Sequence, residues 1–351
     1  MEKQQFLNLI EKRLKTLPDY CTEFYLGKNL SLAAMYGYLN DISRFFTWLR
    51  ETGISDAKSN KDISLDTLEH LKRSDVMLYI DKLKNERNAQ GNYSVATTIN
   101  RNLNALRSLY KYLTVEADEK DGEPYFYRNV MLKIESLPAS ETLNYRAQQI
   151  ESKLYTGDLK HELLDYMEDK YEQGLSNSAK TYYLRDKKRN IAIVALLLGS
   201  GIRVSEAANA NLSDLHFDTE RLDVVRKGGQ RDSVPIAHWT VKYLKDYVDS
   251  IDSKDRYNGR PLFTTFRKGK DGKPNRITTR TIENMVEKVT TAFGRPVTPH
   301  KFRHTLASEL YAETKDEVMV AQQLGQKGTT ATKLYTHVAQ NTQQDAVNRI
   351  K

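Results

Sequence analysis

A chain of 351 residues with 39% apolar and 28% charged side chains has material for two packed cores, at a typical roughly 150 residues per domain, and is too evenly mixed for disorder to dominate. Its formal charge of +8 leaves two readings open, a polyanionic partner or a mildly basic solvated surface. The single cysteine, Cys21, excludes an intrachain disulfide and fits a reducing cytoplasm; the charged start "MEKQQFLNLIEKRLKTL" and the lack of any run near the roughly 18 apolar residues of a membrane span argue against secretion and insertion.

Helical spacing prevails from residue 1 to about 117. A first helix is predicted in "AAMYGYLNDISRFFTWLRE", with Tyr36, Leu39, Phe46 and Leu49 as its apolar stripe, and another in "SLDTLEHLKRSDVMLYIDKLKNE". The clearest is "TTINRNLNALRSLYKYLTV", where Ile99, Leu103, Leu106, Tyr110 and Leu113 line one face for burial. Thr97, Arg101, Asn104, Ser108 and Lys111 fall on the opposite face, which suits either a phosphate backbone or plain solvent.

The pattern weakens through "EADEKDGEPYFYRN", a charge run with Gly and Pro, and "SLPASETLNYRAQQ", which has the character of an exposed connection. The expected division is therefore an N-terminal helical domain over 1–120, a linker over 121–160 and a second domain over 161–351. No internal repeat is evident, which disfavours solenoids.

In the second half, "NIAIVALLLGSGIR" predicts a buried helix ended by a Gly-Ser-Gly break. "RLDVVRKGGQRDSVPI" alternates at Leu222 and Val224, turns at Gly228-Gly229 and alternates again through Val234 and Ile236, which predicts a hairpin. Helical spacing then returns, and "TPHKFRHTLASELYAE" is marked by Thr298 as N-cap and Pro299 at the first helical position.

Four separated segments carry polar residues that packing does not explain. Arg203 follows the glycine break, where a new helix begins and free backbone donors and a guanidinium can meet a phosphate. Lys227 sits at the hairpin tip, either an ordinary turn lysine or an ammonium able to reach a neighbouring site. His300 and Arg303 lie three apart at a helix N-terminus, on one face, where the dipole favours an anion. His300 and His304 also have the spacing of zinc proteases, but Lys301 stands where that motif needs glutamate and no third ligand is marked, so no metal is expected and His304 reads as a structural histidine behind the site. Tyr335 falls on a predicted helix eleven residues after Leu324. A phenol titrating near 10 is a poor nucleophile unless cations or a base surround it, and Arg203, Lys227, His300 and Arg303 would supply that environment.

In this order and spacing these residues resemble the tyrosine recombinase (lambda-integrase-type) family over nearly the whole chain. The first box is similar to "LLLGSGIRVSEAANANLSDL", the second to "TPHKFRHTLASELYAE" followed by "VAQQLGQKGTTATKLYTHV". The length, the lack of an arm domain and the "YTHV" ending look most like the Xer-type recombinases, in the single-protein version that resolves chromosome dimers. The resemblance implies a mainly α fold: an N-terminal helical core-binding (SAM-like) domain, with Thr97, Arg101 and Lys111 toward DNA, and a mostly helical catalytic domain with a small antiparallel sheet.

It also implies roles. Tyr335 would attack the scissile phosphate and form a 3′-phosphotyrosyl link, Arg203 and Arg303 would hold the nonbridging oxygens, Lys227 would protonate the leaving 5′-oxygen, and His300 would assist proton transfer at the tyrosine. No cofactor is implied, because the phosphotyrosine conserves the bond energy. The implied partners are a double-stranded recombination site, three further copies in a homo-tetramer on two sites, with "QQDAVNRIK" as the segment to pass to a neighbour or pack in cis, and a septal DNA translocase as activator. One departure stands out: Gln326 replaces the family's usual His, sometimes Trp, and its amide still donates a hydrogen bond but cannot titrate. The rival readings are a mobile-element integrase, a type IB topoisomerase and a catalytically silent DNA-binding protein.

Overall fold

The computed structural model describes residues 3–338, except 89, 118–121, 139–140, 258, 270–271, 327 and 330–331. The candidate exchange segment, 343–351, lies outside the described residues. The chain forms two compact units, Met1–Ser140 and Glu141–Lys351.

The first unit is helical: α1 (Lys3–Leu14), α2 (Asp19–Gly27), α3 (Leu32–Glu51), α4 (Leu65–His70), α5 (Arg73–Asn85) and α6 (Ala96–Lys111). The predicted stripes face its core. Leu39, Phe46 and Leu49 of α3 and Ile99, Leu103, Leu106 and Tyr110 of α6 are buried, and Tyr36 packs partly buried against them. Phe45 stacks on Trp48 with ring centroids 5.8 Å apart, and Tyr79 of α5 meets Phe45 edge-on at 4.9 Å. Truncating a ring in such a cluster to alanine costs about 3–5 kcal/mol. Cys21 is fully buried here, and desolvation pushes its thiol pKa up.

The single helix expected across residues 64–86 is two, α4 and α5. Leu71 leaves the helical region, with φ −57° and ψ 131°, and buries its side chain, and Lys72 restarts the helix as N-cap, its amide donating to Asp75 Oδ2 at 2.8 Å. The segment read as a linker is shared between the units. Phe126, Val130, Met131 and Ile134 join the first core, whereas α7 (Leu143–Glu151) belongs to the second. The stretch around 136–149 is thus not merely an exposed connection: Thr142 caps α7 by accepting from the Tyr145 amide at 3.2 Å, and Ala147, Ile150 and Leu154 are buried with Leu334 against them.

The second unit continues with α8 (Leu159–Asp169), α9 (Asn177–Ser200), α10 (Val204–Asn209), α11 (Val241–Asp249), α12 (Thr279–Ala292), α13 (Pro299–Thr314), α14 (Glu317–Gln323) and α15 (Lys333–Val338). The C-terminal half of α9, buried from Asn190 to Ser200, is the axis on which α8, α11 and α13 pack. The predicted hairpin is β2 (Arg221–Val225) with β3 (Arg231–Pro235), Leu222 opposite Val234, and β1 (Leu215–His216) adds a third antiparallel strand. A second small sheet, β4 (Thr264–Lys268) with β5 (Pro274–Arg276), has no apolar alternation to announce it. No helix among the described residues is long and apolar enough to cross a membrane.

Candidate active site

The apolar run of α9 ends at Gly201, whose φ of 64° caps the helix in the left-handed region; a Cβ there would lie 2.7 Å from Leu306 Cδ2. That turn delivers Arg203 to the N-cap of α10. Its amide donates to Glu206 Oε2 and its Nη1 to Oε1, each at 2.8 Å. Glu206 is buried and shared, since Oε2 also accepts from Arg226 Nη1 at 3.0 Å.

On α13, Thr298 stands at the N-cap and Pro299 follows it, as predicted, although the threonine side chain makes no capping bond. Arg303, one turn on, is 3% exposed. Its Nη1 donates to Gly201 O at 2.7 Å and its Nη2 to Leu324 O, and no carboxylate pairs with it among the described residues. Burial, and then the charge of Arg203, pull its pKa down to about 10. A buried guanidinium bonded only to carbonyls retains most of its charge for an anion.

Arg303, His300, His304, Gln326, Tyr335 and Arg146 line one cavity of about 560 Å³. Tyr335, on α15, is 3% exposed and packs on Ala307, Val320 and Leu324. Its hydroxyl lies 2.8 Å from His304 Nδ1. Desolvation pushes the phenol up to about 12, against the favourable charge of Arg303. His304 falls to about 3, through burial first and then the charges of His300, Lys301, Arg303 and Arg146. It is therefore a neutral imidazole, and in the tautomer that carries its proton on Nε2 its Nδ1 accepts from the phenol. The His300 ring stands at the mouth, edge to face with His304 at 4.5 Å, and partial desolvation with the charges of Arg303, Lys301 and Arg203 lowers its pKa as well.

Gln326 contributes an amide whose Oε1 is buried with no hydrogen-bond partner among the described residues. Lys227 is not on the cavity wall. It is exposed where the β2–β3 turn passes through Gly228 and Gly229, at φ of 99° and 86°, and no hydrogen bond or ion pair holds its ammonium among the described residues. In the first unit, Thr97, Arg101 and Lys111 are exposed on α6 as expected. Arg101 is 3.6 Å from Asp41 and Lys111 3.0 Å from Glu116, so acidic neighbours temper both charges.

Four of the six predicted catalytic residues thus share one cavity; Arg203 is not on its wall, but its charge lowers the pKa of both Arg303 and His300 there. The sequence reading missed His304 as the partner of Tyr335, and Arg146 and Lys301 as further cations. The signal for Arg146 was present: Thr142 as a cap, then Ala147, Ile150 and Leu154 spaced by three and four. Among the described residues there is no cluster of three or more His, Cys, Asp or Glu side chains arranged to hold a metal.

Residues 166–342 match the model of the phage integrase family, and residues 19–117 that of the phage integrase N-terminal SAM-like domain. Tyrosine recombinase XerS of Lactococcus lactis subsp. lactis (strain IL1403) is 42% identical over 359 residues, and tyrosine recombinase XerS of Streptococcus thermophilus (strain CNRZ 1066) 44% over 362, each alignment spanning all of both chains. Among solved structures, XerH site-specific recombinase bound to a palindromic difH substrate matches 91% of this chain and 79% of its own at a TM-score of 0.63 and 15% identity. A lambda integrase dimer bound to a core site matches 97% of each chain at a TM-score of 0.56 and 14% identity. The chain belongs to the phage integrase family and, within it, to the Xer-type tyrosine recombinases, enzymes of site-specific DNA recombination.

Proposed function

We propose that this recombinase cuts and rejoins duplex DNA through Tyr335 and converts chromosome dimers to monomers before cell division. The observation that carries the chemistry is the cavity in which Tyr335, its histidine partner and the buried Arg303 face one another. Full-length identity above 40% to Xer recombinases supports the chromosomal role over a mobile-element integrase.

A phosphodiester enters with its nonbridging oxygens against Arg303 and Arg203, which hold the charge that grows in the pentacoordinate transition state. Gln326 donates its amide to the same phosphate. Tyr335 Oη forms the bond to phosphorus, the bond to the 5′-oxygen breaks, Lys227 Nζ gives a proton to that oxygen, and the phenolic proton leaves toward the histidines. His300, nearer the mouth, assists that transfer through or beside His304. The products are a 3′-phosphotyrosyl enzyme and a free 5′-hydroxyl; attack by the hydroxyl of the exchanged strand reverses the step.

A phenol at about 12 facing an imidazole at about 3 keeps the proton on Tyr335 in the protein alone. A phosphate dianion-like transition state against the cations raises the histidines and draws on the tyrosine together, which couples activation to substrate binding. The α6 face of Thr97, Arg101 and Lys111 contacts the DNA backbone. The working assembly is a cytoplasmic homo-tetramer on two sites, activated by a septal DNA translocase.

A nicked suicide duplex, carrying a chromosomal sequence selected by binding to the protein, tests the reading. Wild type should give a covalent adduct on a denaturing gel that Tyr335→Phe loses while retaining DNA binding. Binding without adduct in wild type would leave a DNA-binding protein only.

A further inference from the structure

Arg226 lies directly before Lys227 and is 7% exposed, an unusual depth for a residue at the foot of a hairpin turn. All three guanidinium nitrogens are engaged, and each on a different element. Nε donates to Asp232 Oδ2 on β3 at 2.9 Å, Nη1 to Glu206 Oε2 on α10 at 3.0 Å, and Nη2 to Gln323 O at the end of α14 at 2.9 Å. Its own amide closes the turn by donating to Gln230 O at 2.7 Å. The guanidinium also lies on Gly325, where a Cβ would come within 2.4 Å of Nε and the φ of 56° itself favours glycine. Gln326 is the next residue, and the other oxygen of Glu206 holds Arg203.

We infer that Arg226 is a positioning residue for Lys227: it pins the foot of the hairpin to the carboxylate that holds Arg203 and to the loop that carries Gln326, so that the lysine is delivered in register with the phosphate clamp. The inference rests on the proposed proton transfer from Lys227. The two glycines beyond the lysine leave the tip free to turn, but the pin fixes where the swing begins. A fork with fixed geometry does this where an ammonium would not, because only guanidinium presents donors in three set directions.

Single-turnover cleavage of two duplexes tests it, one with an ordinary scissile phosphodiester and one with sulfur in place of the bridging 5′-oxygen. A thiolate leaves without needing a proton, since thiols titrate near 8.5, roughly. Lys227→Ala should be about 10²-fold slow on the oxygen substrate, in the range that general acids contribute, and near wild type on the sulfur substrate. Arg226→Met should show the same pattern. Arg226→Lys, which keeps a buried cation beside Glu206 and guards against misfolding, should show it at smaller amplitude. Equal slowing of both Arg226 variants on both substrates, or wild-type rates on both, overturns the inference while leaving the recombinase intact. Slowing of Lys227→Ala on both substrates removes Lys227 as proton donor and the inference with it. A wild type that forms no adduct on either substrate refutes the reading beneath.

Discussion

The Tyr335 hydroxyl and His304 Nδ1 lie 2.8 Å apart, which ties α15 to α13 through the oxygen proposed as the nucleophile. In the tautomer protonated on Nε2 the imidazole accepts the phenolic O–H and sets its direction, and on the proposed mechanism that also sets the lone pair offered to phosphorus. His304→Phe should slow adduct formation about 10²-fold at unchanged DNA affinity, and His304→Gln, which keeps an acceptor, should recover part of the loss. Single-turnover rates at saturating protein, with binding measured separately, check this.

Acidification should destabilise the protein through the same histidine. Its folded pKa of about 3 lies below the ordinary 6.5, so between those values the unfolded chain binds a proton that the folded chain refuses. Stability is then fully present above 6.5 and falls as pH drops toward about 3, by up to about 1.4 kcal/mol per pH unit, and His300 adds in the same direction. Thermal unfolding followed from neutral to acid pH should show a shallower fall in His304→Asn than in wild type.

Gln326 separates stability from activity. Its buried Oε1 lacks a partner, so Gln326→Leu removes an unsatisfied group and should leave Tm unchanged or raised. The same change removes the donor proposed for the phosphate and should slow cleavage by about 10²-fold or more. Gln326→His should restore the donor and the rate. Paired melting and cleavage assays on the two variants decide the point.

At Gly201 both the backbone and a neighbouring side chain work against a Cβ. Gly201→Ala meets a φ of 64° and a 2.7 Å clash with Leu306, and should cost about 1–3 kcal/mol. Because Arg303 Nη1 is bonded to Gly201 O, the clamp should loosen as well, so cleavage should fall further than the loss of folded protein explains. Calorimetry beside rates normalised to the folded fraction separates the two effects.

The first unit should contribute a salt-dependent part of DNA binding. Arg101→Ala should reduce the slope of log affinity against log salt by about 1, the signature of one lost phosphate contact. Lys111→Ala should change it less, since Glu116 already sits 3.0 Å from that ammonium. Titrations over a range of salt concentrations check both.

Where apolar side chains recur at helical spacing, as from Ile99 to Tyr110, the sequence was enough to place both the element and its buried face. It was not enough at Leu71, because a buried leucine continues the stripe of a helix as well as it ends one. The second sheet was hidden because β4 is largely exposed and its alternation is polar. Within the site, spacing marked Arg203, His300, Arg303 and Tyr335 but was silent on distance. His300 and His304 share a helix face, and only the fold determines which of them meets a tyrosine 31 residues away. Arg226 carries no sequence signal for the same reason: its partners lie 6, 20 and 97 residues off along the chain.

The sealed thiol of Cys21 makes the folded protein blank to sulfhydryl reagents. A cysteine introduced at an exposed position such as Lys227 or Thr97 would be the only reactive one, so a dye or crosslinker placed there reports on a single chosen point. Left alone, Cys21 serves as an internal clock: the rate at which it becomes labelled measures how often the first unit opens.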